Sequence, residues 1–241
     1  MFTNNICVAL KLMLKLSTEC TAKMLQAAKV AKKLQLPDFL QNSLPEAFYL
    51  RDDVTQIARE LLGKILATEM AGQICAIRIT ETEAYRAPDD RACHAWGNRL
   101  TPRTRVMFEP GGRAYVYLCY GIHHLFNVVT APAGMAHAVL IRAGEPVWGE
   151  ELMLARRSMR TLTPRLCSGP GALTQALGLR TDAHNNASLL SHSGAVWISD
   201  DGRRVPQPLV SQRIGVDYAG SDARRPWRFL MPGTKFVSRP A

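Results

Sequence analysis

The chain has 241 residues, 47% hydrophobic and 21% charged, which suits one large soluble domain with a sizeable core, with or without an extra segment, and excludes a wholly disordered chain. With 30 Lys and Arg against 20 Asp and Glu, the net charge of +10 favours a polyanionic partner. Six cysteines (Cys7, Cys20, Cys75, Cys93, Cys119, Cys167) form no CxxC pair, which argues against a zinc ribbon or a disulfide framework and for an intracellular location.

Residues 1–36 hold six lysines against one acid, Glu19, with Met24, Ala28, Ala31 and Leu34 at roughly helical spacing. The spacing predicts a basic amphipathic helix or arm, and an organelle-targeting role for it stays open. Lysines interrupt the apolar run around Val8–Leu16, so no membrane span is expected. The main domain is expected over 37–241. A turn at Asn42–Pro45 leads to a helix over Val54–Leu62, capped by Asp52 or Asp53 and stopped by Gly63.

Lys64–Glu69 and Ile74–Glu83 read as strands joined at Ala71–Gly72. Arg86–Arg105, with two prolines, reads as loop with a short helix. Arg113–Cys119 and His123–Thr130 read as a hairpin turning at Tyr120–Gly121. Ala138–Gly144 is a further strand, Glu150–Arg160 a helix, and Ala172–Leu177 a short helix begun by Ser168-Gly-Pro-Gly171. Ala195–Asp200 and Ser211–Ile214 add strands before a loop-rich tail containing Trp227–Phe229. Hairpins predominate over alternating helices, so the fold class expected is α+β, a single mixed domain around an antiparallel sheet. Cys75 and Cys119, within strands, are expected to be buried thiols.

Ile77, Ile79, Glu81 and Glu83 share one parity of a period-2 pattern, so the strand side that starts in the core should end carrying two carboxylates. A core-facing carboxylate must be paired or hydrogen-bonded. Glu83 is the candidate general base for a water attacking an electrophilic carbon. From the local pattern alone it is equally a core-edge carboxylate held by an arginine. Glu81 reads as an ion-pair partner. Tyr85, Tyr115, Tyr117 and Tyr120 are four of the six tyrosines. Tyr120, at the hairpin tip, suits a wedge that unstacks DNA, and Tyr85 and Tyr117 suit walls for an extruded base.

His94 suits a hydrogen-bond donor beside them. His123 and His124 point to opposite faces of a strand and cannot share one ion, and no HExxH or CxxC spacing supports a metal. Arg91, Arg99, Arg103 and Arg105 are placed to contact phosphates, or else form a solvated face.

Several short motifs stand together: Glu81-Thr82-Glu83-Ala84-Tyr85, Ala92-Cys93-His94, Thr101-Pro102-Arg103, Tyr115-Val116-Tyr117, Tyr120-Gly121 and Phe126-Asn127-Val128. Leu140-Ile141-Arg142-Ala143, Gly169-Pro170-Gly171, Arg213-Ile214-Gly215-Val216-Asp217-Tyr218 and Pro226-Trp227-Arg228-Phe229 continue them. In this order they resemble the alkyladenine (3-methyladenine) DNA glycosylases, the methylpurine glycosylases of base-excision repair, from about Pro37 to Val237. Residues 1–36 have no counterpart, and His123-His124-Leu125 departs from the shared pattern.

The resemblance implies a curved antiparallel sheet with a protruding hairpin, in a monomer that flips alkylated purines from double-stranded DNA and hydrolyses the N-glycosidic bond without metal or organic cofactor. It implies Glu83 as water activator and Arg142 as support for that water. Tyr85, His94 and Tyr117 become base-pocket residues, Asn127 the discriminator against guanine, and Tyr120 the intercalating side chain. Arg99, Arg103 and Arg105 remain the expected phosphate contacts. The rivals are a non-catalytic nucleic-acid-binding module and a nucleic-acid-dependent transferase.

Overall fold

Asp53 accepts from the N–H groups of Thr55 and Gln56, both at 3.0 Å, and so begins the first two-turn helix of the fold. The computed structural model describes residues 36–241, so the basic arm expected over 1–36 lies outside the described residues apart from Leu36. Two single-turn helices, α1 (Asp38–Gln41) and α2 (Glu46–Tyr49), precede that helix, α3 (Val54–Leu61). Val54, Ile57, Ala58 and Leu61 are its buried positions, and Gly63, at φ +83°, turns the chain into the sheet.

Eight antiparallel strands follow: β1 (Ile65–Met70), β2 (Gln73–Arg86), β3 (Ala114–Cys119), β4 (His123–Thr130), β5 (His137–Trp148), β6 (Val196–Ser199), β7 (Leu209–Ser211) and β8 (Arg228–Leu230). Their order is β3-β4-β5-β2-β1-β6, with β8 bonded to both β2 and β7. The sheet curls into a half-barrel, and the expected single mixed α+β domain is what forms. Helices α4 (Glu150–Arg156), α5 (Pro170–Leu177) and α6 (Thr181–His184) lie between β5 and β6 in the chain. The main core packs Ile57 and Leu61 of α3, Met153 of α4 and Leu173 and Leu177 of α5 against one sheet face. A second cluster, with Cys93, Val106, Tyr115, Val129 and Ala138, forms under the loop from 87 to 108.

The expected parity of β2 is corrected. Ile77 and Ile79 join the main core, but so does Ala84, of opposite parity. Ile79 lies opposite Gly144 and Glu81 opposite Ala143, so Thr80 is an extra residue and the strand exchanges faces there. Thr82 then bonds Ala58 O of α3 at 2.8 Å, while Glu81, Glu83 and Tyr85 turn to the other face. A compensating irregularity sits at Arg142, between Ile141 (opposite Thr82) and Ala143 (opposite Glu81).

Three more expectations change. The helix from Glu150 ends at Arg156, and Ser158 at φ 51° leaves it. The strand expected over Ser211–Ile214 keeps only Ser211, because Arg213 and Ile214 are drawn away to buried carboxylates. The tail around Trp227–Phe229 is in fact β8, short and flanked by Pro226 and Pro232.

Candidate active site

Bending β2 away from the core brings Glu81 and Glu83 onto one face, and neither has any exposed surface. Unpaired, such carboxylates would cost several kcal/mol each. Arg142 resolves both, its Nε donating to Glu81 Oε1 at 3.0 Å and its Nη1 to Glu83 Oε2 at 3.1 Å. Arg228 donates to Glu81 Oε1 at 2.9 Å, so two carboxylates face two guanidiniums. The C-terminal residues close this cluster. Ser238 donates to Glu81 through backbone and hydroxyl, and Arg228 bonds the carbonyls of Arg239 and Pro240.

Glu83 is held by neutral donors as well. The Tyr85 hydroxyl donates to Oε2 at 2.7 Å, and the Ile214 N–H to Oε1 at 2.8 Å. Burial and the Glu83 charge keep the Tyr85 phenol well above its ordinary range, so it remains a donor. Ile214 is delivered by a neighbouring ion pair: Arg213 and Asp90, whose side chains are both closed to solvent, meet at 2.5 and 2.8 Å. The Arg213 guanidinium also lies 4.8 Å from the Tyr85 ring centroid.

Tyr85, Arg142 and Ile214 are walls of a cavity of about 200 Å³, and Glu83 sits behind them. The other walls include His94, Met107, Tyr115, Tyr117, Tyr120, Asn127, Leu140, Val216 and Tyr218. The pairing of β3 with β4 sets Tyr115 opposite Asn127, whose Nδ2 donates to Tyr115 O at 3.0 Å and so fixes its amide. His94 packs edge-on to Tyr117 at 4.7 Å. Arg103 can only donate, so its contact with His94 Nε2 at 3.2 Å leaves the ring proton on Nδ1, which donates to the Tyr115 hydroxyl at 2.9 Å. Burial, aided by the Arg103 charge, pulls His94 down to about 4, so the ring is neutral near pH 7.

At the hairpin tip Tyr120 (φ 51°) and Gly121 (φ 69°) take left-handed conformations, and Ile122 completes the loop. Tyr120 is 91% exposed, flanked by exposed Leu118 and Ile122. Cys119, expected to be buried, is only half-buried, because the hairpin leaves the domain there.

Tyr85, His94, Tyr117, Tyr120, Asn127 and Arg142 thus border one cavity, and Glu83, which does not line it, is bonded to two of its walls, Tyr85 and Arg142. Arg99, Arg103 and Arg105 are exposed; Arg103 touches His94 and lies 4.8 Å from the Tyr117 centroid, whereas Arg105 borders no cavity with them. The sequence reading assigned no role to Tyr218, Arg228 or Ser238, or to the Ile214 amide. The Arg213–Tyr218 and Pro226–Phe229 motifs were the available signals for part of this set, covering Ile214, Tyr218 and Arg228. Among the described residues no group of three or more His, Cys, Asp or Glu could hold a metal.

A carboxylate pinned behind a cavity of tyrosines, on a basic chain with an apolar hairpin tip, has the shape and charge of an enzyme site that acts on a polyanion. Residues 47–235 match the family model described as Methylpurine-DNA glycosylase (MPG). A protein of Chlamydia pneumoniae is 48% identical over 190 residues, covering 78% of this chain and 94% of its own; its name is "Putative 3-methyladenine DNA glycosylase". Proteins of the same name from Methanocella arvoryzae (46% over 198 residues, 82% of this chain, 96% of theirs) and Myxococcus xanthus (48% over 200 residues, 82% and 94%) are similar. The chain belongs to the methylpurine-DNA glycosylase family and is a DNA glycosylase.

Proposed function

We propose that this enzyme flips an alkylated purine of the 3-methyladenine type out of duplex DNA and hydrolyses its N-glycosidic bond in base-excision repair, with 7-methylguanine and hypoxanthine as further candidates. One observation carries the reading. Glu83 Oε2 accepts two hydrogen bonds and Oε1 only one, which leaves a lone pair on a rigid carboxylate for a water. That water attacks C1′ and gives its proton to Glu83. The C1′–N bond breaks with oxocarbenium character, and its electron pair leaves with the base. Alkylation at N3 or N7 makes the purine cationic, so the electron pair neutralises the leaving group, and the same positive charge favours stacking on Tyr85 and Tyr117.

Arg142 holds Glu83 in place, and His94 and Asn127 meet the base edge, with Asn127 opposing the exocyclic amine of guanine. Tyr120 fills the gap in the duplex, and Arg99, Arg103 and Arg105 meet phosphates. Residues 37–241 contain two lysines, Lys64 and Lys235, and neither borders the cavity, which supports a monofunctional hydrolase over a Schiff-base lyase. The enzyme acts as a monomer on DNA inside the cell.

Methylated duplex DNA incubated with the enzyme should release 3-methyladenine, identified by mass spectrometry. Glu83→Gln should abolish release while lesion binding persists; a variant that still turns over would reject Glu83 as the base.

A further inference from the structure

Arg103 is exposed and is not a wall of the base cavity, yet it touches two residues that are. Its Nη2 lies 3.2 Å from His94 Nε2, and its guanidinium 4.8 Å from the Tyr117 ring centroid. No carboxylate pairs with it among the described residues. The turn that carries it is fixed: the Thr101 N–H donates to Thr104 Oγ1 and the Thr104 hydroxyl to Arg99 O, both at 2.8 Å, and Thr104 is buried. This contact selects one state of the imidazole. A guanidinium donates and never accepts, so Nε2 must keep its lone pair while the ring proton on Nδ1 meets the Tyr115 hydroxyl. A second ring proton would break the Arg103 bond and set two cations side by side. Nothing nearby would stabilise that charge. The other titratable groups bordering the cavities on either side of His94 are the phenols of Tyr85, Tyr115, Tyr117, Tyr120 and Tyr218, the thiols of Cys93 and Cys119, and Arg91, Arg99 and Arg142. No carboxylate lines either cavity, and Glu83, behind the wall, is already held by Arg142 and Tyr85.

An imidazolium among the cavity walls would repel a cationic purine with little water to screen it, whereas the guanidinium of Arg103 is exposed and screened. We infer that Arg103 is a positioning residue for base selection: by donating to His94 Nε2 it holds that ring uncharged and in one tautomer, so that the cavity accepts a positively charged base. Its remaining N–H groups stay available to a phosphate, so the two roles coexist. The inference rests on the glycosylase reading and adds to it how a cationic lesion is admitted.

Nitrogen NMR of the full-length enzyme with labelled histidine, its His94 signals identified by their loss in His94→Gln, should show the proton on Nδ1 and no charge above about pH 4. Arg103→Leu should raise the pH at which His94 charges by about one unit or more, and Arg103→Lys, which keeps a charged donor, should stay close to the unmodified enzyme. Below the raised titration point, single-turnover release of 7-methylguanine by Arg103→Leu should fall about tenfold per pH unit relative to the unmodified enzyme. Arg99→Leu, which loses an expected phosphate contact but none to His94, should weaken DNA binding and move neither profile. A ring proton on Nε2 in the unmodified enzyme, or an unshifted His94 titration in Arg103→Leu, would overturn the inference. So would a loss of release in Arg103→Leu that is uniform across pH, the mark of a phosphate contact alone. The NMR readout needs no substrate, so failure to release any methylated base would sink the glycosylase reading without deciding the state of His94. Should Arg103→Leu misfold, the tautomer in the unmodified enzyme still decides.

Discussion

Ser238 meets Glu81 twice across 157 residues of chain, its N–H donating to Oε2 at 2.5 Å and its hydroxyl to Oε1 at 2.7 Å. Glu81 also accepts from Arg142, which in turn holds Glu83. The C-terminal segment is therefore part of the lattice that fixes the proposed base, one guanidinium removed from it. Ser238→Ala should lower the single-turnover excision rate about tenfold and stability by about 1–3 kcal/mol, since a hydrogen bond to a buried charge is lost. Lesion affinity should hold and Ser238→Thr should restore the rate; an unchanged rate in Ser238→Ala would show that Glu81 is held well enough without it.

Arg213 and Asp90 form a buried pair that places the Ile214 amide against Glu83. Arg213→Met should destabilise the fold by about 3–5 kcal/mol, because Asp90 is left buried and unpaired. Adding Asp90→Asn should recover part of that loss while excision stays impaired. Urea unfolding of the two single variants and the double variant measures the coupling, and simple additivity would contradict a paired role.

Tyr120 is exposed and touches no core, so Tyr120→Ala should change stability by no more than about 0.5 kcal/mol. Affinity for a lesion duplex should fall about tenfold or more, and a fluorescent base analogue beside the lesion should report less unstacking. Equal affinities would remove the wedge from the mechanism.

His94 is pulled by burial, then by the Arg103 charge, from 6.5 to about 4. Below about pH 6.5 the unfolded chain takes up a proton that the folded chain refuses, so stability owed to the neutral ring is complete above that pH and is lost as pH falls toward about 4. Denaturant midpoints should therefore fall more steeply across this window than in His94→Gln. Parallel slopes would mean that the ring titrates freely in the fold.

Period-2 alternation and turn residues were enough to mark most strands, the hairpin tip and the grouping of Glu83 with Tyr85 and Tyr117, and the family resemblance added Asn127. Glu83 and Tyr85 are two residues apart on one strand, and Tyr117 and Asn127 lie across one tight turn, so strand geometry brings each pair together, while β5 sets the two pairs on one sheet. The face of β2 that carries the carboxylates was not legible, because an extra residue at Thr80 reverses parity and a bulge has no residue-type signature in Ile-Thr-Glu. Strand β8 escaped notice for a related reason: three residues between prolines carry too little periodicity to register.

Composition and pattern determined that the chain makes an α+β domain with an acid among tyrosines. Only the tertiary structure decided how that acid is held. The Ile214 amide, Arg228 and the Ser238 hydroxyl and amide reach the two glutamates from more than 130 residues away, and a backbone N–H is the same group in every residue but proline. Its use as a ligand for a buried carboxylate depends on where the folded chain passes, which local sequence does not encode.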